Sequence, residues 1–266
     1  MITFPFCKIN LGLHIVNKRT DGFHNIETFF YPIKKLTDVL EIIPSEQFSF
    51  QCHGTSIEGE EADNLVVKAY HLMRQYHHLP PVLINLLKHI PTGAGLGGGS
   101  SDASATLILL NKIFDLQLNN TILKTYAAKL GSDCSFFIEG TSAFASDRGE
   151  NLLPCHCSEL EGKHIVIIKP NIRISTVEAY SHCKPSPSEM DLREIIEKPI
   201  SSWKMLLKND FEKTLFPLYP RLAEVKETLY REGALYASLS GSGSALFGIF
   251  EQIPSLHIGN DCLVFC

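Results

Sequence analysis

The chain has 266 residues, 44% of them hydrophobic and 20% charged, with a formal net charge of -5. That length suits one large or two modest domains, and the balance is that of an ordinary folded, soluble protein. A pI near 6.1 gives no electrostatic reason to expect nucleic acid as a partner, and no uninterrupted apolar run of membrane length predicts a membrane partner.

From the N-terminus, FCKINLGLHIV (6–16) alternates apolar and other residues as a strand does. Asp21-Gly22 marks a turn, after which IETFFYPI resumes as a strand. DVLEIIP and FSFQCHG read as a further hairpin. Asp63 is the expected N-cap of a helix over NLVVKAYHLMRQYHH, where Leu65, Val66, Ala69, Leu72 and Met73 keep helical spacing. VLINLLKHI is strand-like and runs into a glycine-rich segment and a helix. A second helix (NTILKTYAAKLG), the loop GSDC, the apolar SFFIEG and a strand with its turn (TSAFASDRGE) follow.

The second half begins near Pro154. KHIVIIKP predicts a buried strand, and STVEAYSHC a short helix started by Ser175 or Thr176. KPSPSEMD is a Pro/Ser-rich loop, followed by two or three helices through Glu232. ALYASLSGSGSALFGIF reads as strand, glycine turn and strand, which leaves CLVF as a last strand able to return to the first lobe. Mixed in this order, the elements predict an α+β architecture in two lobes, divided into 1–154 and 155–266. The eight cysteines are scattered, and MITFPFCKINLGLHIV lacks the pattern of a secretory leader. Reduced thiols in a cytoplasmic setting are the expectation. Cys155-His156-Cys157 has poor spacing for zinc, so no metal site is expected.

The strongest chemical signal is PTGAGLGGGSSDASA (91–105), with five glycines in the seven positions 93–99. Ser100 and Ser101 can cap a helix whose apolar face continues through Leu107, Leu110 and Phe114. A glycine path leading to a helix N-terminus leaves N–H groups and positive dipole for an anion. A plain flexible linker needs neither the preceding strand nor the helix. The Lys-Ser/Thr ending of a Walker loop is missing. Gly93-x-Gly95-x-x-Gly98 satisfies the dinucleotide pattern, but Asp115 continues the helix and does not end a second parallel strand.

Pro91 to Ala103 resembles the phosphate loop of the GHMP kinases. Three further motifs occur in that family's order: Cys7-Lys8-Ile9-Asn10-Leu11 with Arg19-Thr20-Asp21-Gly22-Phe23-His24, then Gly131-Ser132-Asp133-Cys134-Ser135-Phe136-Phe137, then Ser240-Gly241-Ser242-Gly243-Ser244. They resemble most the branch whose acceptor is a hydroxyl of 4-diphosphocytidyl-2-C-methyl-D-erythritol, in non-mevalonate isoprenoid precursor synthesis. The resemblance implies a two-lobed fold, with an N-terminal lobe like ribosomal protein S5 domain 2 and a ferredoxin-like C-terminal lobe. It also implies ATP as co-substrate with Mg2+, and a small-molecule acceptor carrying cytidine diphosphate. A monomer or homodimer is expected.

The resemblance assigns the base to Asp133 and the charge-stabilising cation to Lys8. A lysine beside an aspartate favours the ionised carboxylate, and a charge inside an apolar strand needs a reason to be there. Taken alone, an Asp after Gly-Ser is a cap or turn residue. To the nucleotide the resemblance gives Asn64, Leu65 and Val66 around adenine, Lys88, and Pro91, Gly93, Gly95, Leu96, Gly97, Gly98, Gly99, Ser100 and Ser101 of the loop, whose serines suit phosphate or its magnesium. To the acceptor it gives Asn10, Phe23, His24, Tyr180 and the turn Gly241, Ser242 and Gly243. Phe23 stands where a tyrosine is expected, and Ser135 where a proline is common. From the residues alone, Lys88 reads equally as an exposed strand charge and Tyr180 as a core aromatic. A binding-only protein would not need Lys8 and Asp133. A kinase for homoserine or mevalonate would leave the Asp-Gly-Phe-His segment unused.

Overall fold

In the computed structural model, residues 1–55, 59–186, 190–259 and 261–266 are described. Their strands are β1 (Ile2–Thr3), β2 (Phe6–Lys18), β3 (His24–Thr37), β4 (Val39–Pro44), β5 (Ser49–Gly54), β6 (Val82–Lys88), β7 (Ala143–Ser146), β8 (Asn151–Pro154), β9 (His164–Pro170), β10 (Tyr236–Leu239), β11 (Leu246–Phe250) and β12 (Cys262–Phe265). The helices are α1 (Leu65–Tyr76), α2 (Gly98–Ile113), α3 (Asn120–Leu130), α4 (Cys134–Glu139), α5 (Thr176–Ser181), α6 (Leu192–Ile196), α7 (Ile200–Leu206), α8 (Glu212–Leu218) and α9 (Pro220–Arg231).

The chain forms two compact units that interleave in sequence. One comprises Met1–Lys8, Pro32–Thr92 and Gly97–Thr141; the other Ile9–Tyr31, Gly93–Leu96 and Ser142–Cys266. A single cut near Pro154 does not describe them, because β2 and β3 are long strands that each pass from one unit into the other.

In the first unit a four-stranded sheet, ordered β1-β4-β6-β5, carries α1 to α4. Alternation in β4 and β6 sends Leu40, Ile42, Ile84 and Leu86 inward against Tyr70, Met73, Leu107, Leu110 and Ala127. The expected hairpin of β4 and β5 does not form. β6 lies between them, antiparallel to β4 and parallel to β5. The apolar β6 is hydrogen-bonded on both sides, and β5, whose Gln51 and His53 are exposed, takes the edge. Two caps also differ from expectation. Asn64, and not Asp63, caps α1, its side chain accepting from the N–H of Val66. Gly97 caps α2, with Ser100 and Ser101 inside the helix.

In the second unit β10-β11-β9-β12 make an antiparallel sheet. Val166, Ile168, Leu239 and Leu246 pack on Leu222, Val225 and Leu229 of α9. The CLVF strand pairs with β9 here, so it does not return to the first lobe. Four helices, α6 to α9, occupy the stretch expected to hold two or three, because Pro199 and Pro220 each start a new one. Part of the Pro/Ser-rich loop 184–191 lies outside the described residues. A further sheet follows the order β2-β3-β7-β8.

Candidate active site

The glycine-rich segment leaves β6 and enters α2 directly. Gly97 has φ +72°, and a Cβ there would stand 2.9 Å from the Phe137 ring and 3.2 Å from Cε of Lys8. The position therefore demands glycine twice over, for its left-handed backbone and for the close approach. Gly97, as cap, offers no side-chain bond to the first N–H groups of the 16-residue α2. They remain as donors at the positive end of the helix dipole, which is an anion site. Pro91 and Leu96 are buried and Gly99 is exposed.

Lys8 is almost fully buried in β2 between Cys7 and Ile9. Its Nζ lies 3.3 Å from Oδ2 of Asp133, whose side chain is 31% exposed. Asp133 precedes α4 but makes no side-chain cap bond, so its carboxylate is not spent on the helix. The loop carrying it is tied to α2 by Ser104, whose hydroxyl donates to the carbonyls of Cys134 at 2.7 Å and Ser100 at 2.9 Å. Ser135, at the position expected to favour proline, donates to the Lys124 carbonyl at 3.3 Å and holds the turn by a bond where proline would do so by ring closure. Burial pushes the Cys134 thiol up to about 12, which leaves it a neutral packing group.

Of the residues expected around adenine, Asn64 is occupied as the α1 cap, and Val66 is fully buried in the core. Leu65 reaches the loop: its Cδ1 is 3.7 Å from where a Cβ on Gly99 would stand. Lys88 is neither exposed nor open to a ligand, being 2% accessible. Its ammonium sits between Asp38 and Asp102, 2.6 Å from Oδ2 of the latter. Burial works against the Lys88 charge, but the two carboxylates outweigh it and hold the pKa above the ordinary lysine value. Burial pushes Asp102 up to about 7 against the pull of Lys88.

The second unit holds the residues expected at the acceptor. Asn10 is buried, donates to Oγ1 of Thr28 at 3.0 Å, and places its Oδ1 3.3 Å from the Cβ position of Gly241. Ser240 donates to the Gly95 carbonyl at 3.0 Å, and the N–H of Ala245 to that of Ala94 at 3.1 Å, so the turn 240–244 is bonded to 93–96. Gly241 and Gly243 are buried and Ser242 is half-buried. His24 and Tyr180 stack on each other, with centroids 4.8 Å apart and planes 18° from parallel. The resemblance sets Tyr180 on the face of the base opposite the Phe23-His24 pair; here its ring lies against His24. Burial and the Lys18 charge hold the His24 pKa below that of ordinary histidine. Phe23 is 53% exposed, with the Arg148 guanidinium 5.0 Å from its centroid.

The family model for the GHMP kinases N terminal domain matches residues 64–141, and that for the GHMP kinases C terminal matches 192–254. The 4-diphosphocytidyl-2-C-methyl-D-erythritol kinase of Bacteroides thetaiotaomicron is 50% identical, covering 100% of this chain and 98% of its own. The chain belongs to the GHMP kinase family. The similarly named kinase of Cytophaga hutchinsonii is 47% identical over 96% of this chain and 94% of its own. A crystal structure of a 4-(cytidine 5'-diphospho)-2C-methyl-D-erythritol kinase superposes with TM-score 0.79 at 31% identity, covering 94% of this chain and 90% of the other. Mevalonate kinase of Methanococcus jannaschii, at 14% identity and TM-score 0.66 over 94% and 90% of the two chains, shares the fold.

Within this GHMP kinase the two family matches contain the glycine loop, Asp133 and the turn 240–244, while Lys8, Phe23, His24 and Tyr180 fall outside both. Three structural residues escaped sequence reading. Asp38 and Asp102 flank Lys88, and the buried Asn209 donates to the carbonyls of Leu239 and Gly241, both at 2.9 Å. The signal for the two aspartates was their setting, a lone acid in LTDVL and another in SSDASATLILL. Asn209 carried no comparable signal.

Proposed function

We propose that this GHMP kinase transfers the γ-phosphoryl group of ATP to the 2-hydroxyl of 4-diphosphocytidyl-2-C-methyl-D-erythritol, giving the 2-phosphate and ADP in non-mevalonate isoprenoid precursor synthesis. Full-length identity of 50% to a relative bearing that name supports the substrate. The observation that carries the chemistry is the Lys8–Asp133 pair beside Gly97.

In this reading the N–H groups of the loop and of the start of α2 hold the ATP phosphates. Asp133 accepts the proton of the 2-hydroxyl as its oxygen bonds to the γ-phosphorus, and the bond to the β-phosphate oxygen breaks in line to release ADP. Lys8 stabilises the charge that develops on the transferring oxygens. No phosphoenzyme is formed. Phe23, His24 and Tyr180 receive the cytosine, and Asn10 with Gly241–Gly243 approaches the rest of the acceptor. The donor set suits a magnesium ion that arrives on ATP. Among the described residues no group of three or more His, Cys, Asp or Glu side chains forms a cage, and the half-buried Ser100 hydroxyl at the loop is the ligand the chain would add. The enzyme acts in the cytoplasm on small molecules, which its eight free thiols suit.

The test is ADP release by purified protein with ATP and magnesium, in the presence of the cytidylyl substrate, mevalonate or homoserine. Turnover is expected with the first alone, and selective inhibition by CMP or CDP should accompany it. Release that is indifferent to the acceptor, or faster with mevalonate or homoserine, would sink the assignment.

A further inference from the structure

The buried charges beneath the phosphate loop have no place in the chemistry above. Asp38, between β3 and β4, is fully buried, as are Lys88 at the end of β6 and Asp102 in the first turns of α2. Asp38 binds the strand end through both carboxylate oxygens: Oδ1 accepts from the N–H of His89 at 2.6 Å and of Ile90 at 2.8 Å, and Oδ2 from the Lys88 ammonium. The same ammonium donates to Asp102 Oδ2 at 2.6 Å. Lys88 and Asp102 therefore bracket the glycine segment, one before it and one after. The ammonium also lies directly under the start of the helix, 3.3 Å from where a Cβ on Gly98 would stand.

Two features argue against a merely stabilising role. Desolvating three charges costs so much that an apolar trio of equal volume usually serves stability as well or better. Burial also works against the charge of Asp102, so a carboxyl group below a site meant for phosphate is a poor choice unless the geometry is needed. Asp102 Oδ1, which has no hydrogen-bond partner among the described residues, shows that the network is not fully satisfied. What the three groups do achieve is to fix the end of β6 against the start of α2.

We propose that Lys88, held between Asp38 and Asp102, is a positioning residue that clamps the two ends of the phosphate loop and sets ATP affinity through the loop, without touching the nucleotide. The inference rests on the kinase reading above for the identity of the ligand.

The experiment measures binding of a non-hydrolysable ATP analogue by calorimetry, with KM for ATP and for the acceptor, in wild type, Asp38→Asn, Lys88→Met and the double variant. A clamp predicts that each single substitution weakens the analogue about tenfold or more and raises KM for ATP in step, with KM for the acceptor within about twofold. The double variant should be no worse than the weaker single, since the partners act as one unit. Loss of binding in Lys88→Met with wild-type affinity in Asp38→Asn would mean direct contact and overturn the proposal. Additive effects, or an acceptor KM that rises equally, would overturn it too. If those variants do not fold, the near-isosteric Asp102→Asn decides, with unchanged analogue affinity counting against the clamp. A wild type that binds the analogue yet phosphorylates no cytidylyl acceptor would fail the functional reading alone, because the binding comparison still tests the clamp.

Discussion

The two glycine turns of this kinase are held by different chemistry. The phosphate loop is fastened by buried charge, with Lys88 between Asp38 and Asp102. The turn 240–244 is fastened by a neutral amide: Asn209 donates to the Leu239 and Gly241 carbonyls and accepts from the N–H of Phe211 at 3.0 Å. The difference has a physical basis. An amide meets donors and acceptors at once without carrying charge into the core, whereas an ammonium can draw two separate carboxylates, and so two separate elements, to one point. The first solution tolerates loss of a partner poorly, because a stranded buried charge costs far more than a stranded carbonyl.

That contrast orders the expected losses. Lys88→Met should destabilise most, by about 3–5 kcal/mol in denaturant unfolding, since it leaves two buried carboxylates without their cation; Asp38→Asn should cost less, because Lys88 keeps its pairing with Asp102. Asn209→Ala should cost about 1–3 kcal/mol, for two carbonyls left without their donor; a loss as large as that of Lys88→Met would erase the distinction between the turns. Ser104→Ala, which loosens the tie between α2 and the Asp133 loop, should cost about 1 kcal/mol. Its kcat should fall while KM for ATP holds, and an unchanged kcat would show that Asp133 does not need the tie.

The smallest effect concerns His24. Its folded pKa is held below the unfolded value near 6.5, so the unfolded chain takes up the proton more readily. The contribution to stability is present above pH 6.5 and is lost as pH falls toward the folded pKa. Inhibition by CMP should follow the same course, steady from pH 8 to 6.5 and weaker below. His24→Gln should flatten both profiles, and a wild-type profile already flat to pH 5 would remove His24 from cytosine recognition.

Local signals in the sequence reached the parts of the site that depend on local chemistry. A strand, a run of glycines and a helix identify an anion loop wherever they stand, and a lysine inside an apolar strand at position 8 asks for a partner, which proved to be Asp133. The clamp was hidden because its members are far apart in sequence. Asp38 precedes Lys88 by 50 residues, and only the placement of β6 beside β4 brings them together. The same non-local pairing defeated the β4–β5 hairpin expectation, since nothing within DVLEIIP or FSFQCHG says that a later strand will enter between them. Cap positions failed for the opposite reason. Asp63 and Asn64 are both good caps, as are Ser100 and Ser101, and the backbone chose Asn64 and the left-handed Gly97.

The most direct test of the chemistry is single-turnover ADP formation by Asp133→Asn with ATP, magnesium and the cytidylyl acceptor at saturation. If Asp133 is the base beside Lys8, the rate should drop about 10³-fold or more while affinity for the ATP analogue stays within a few-fold of wild type. A rate within about tenfold of wild type would contradict that role.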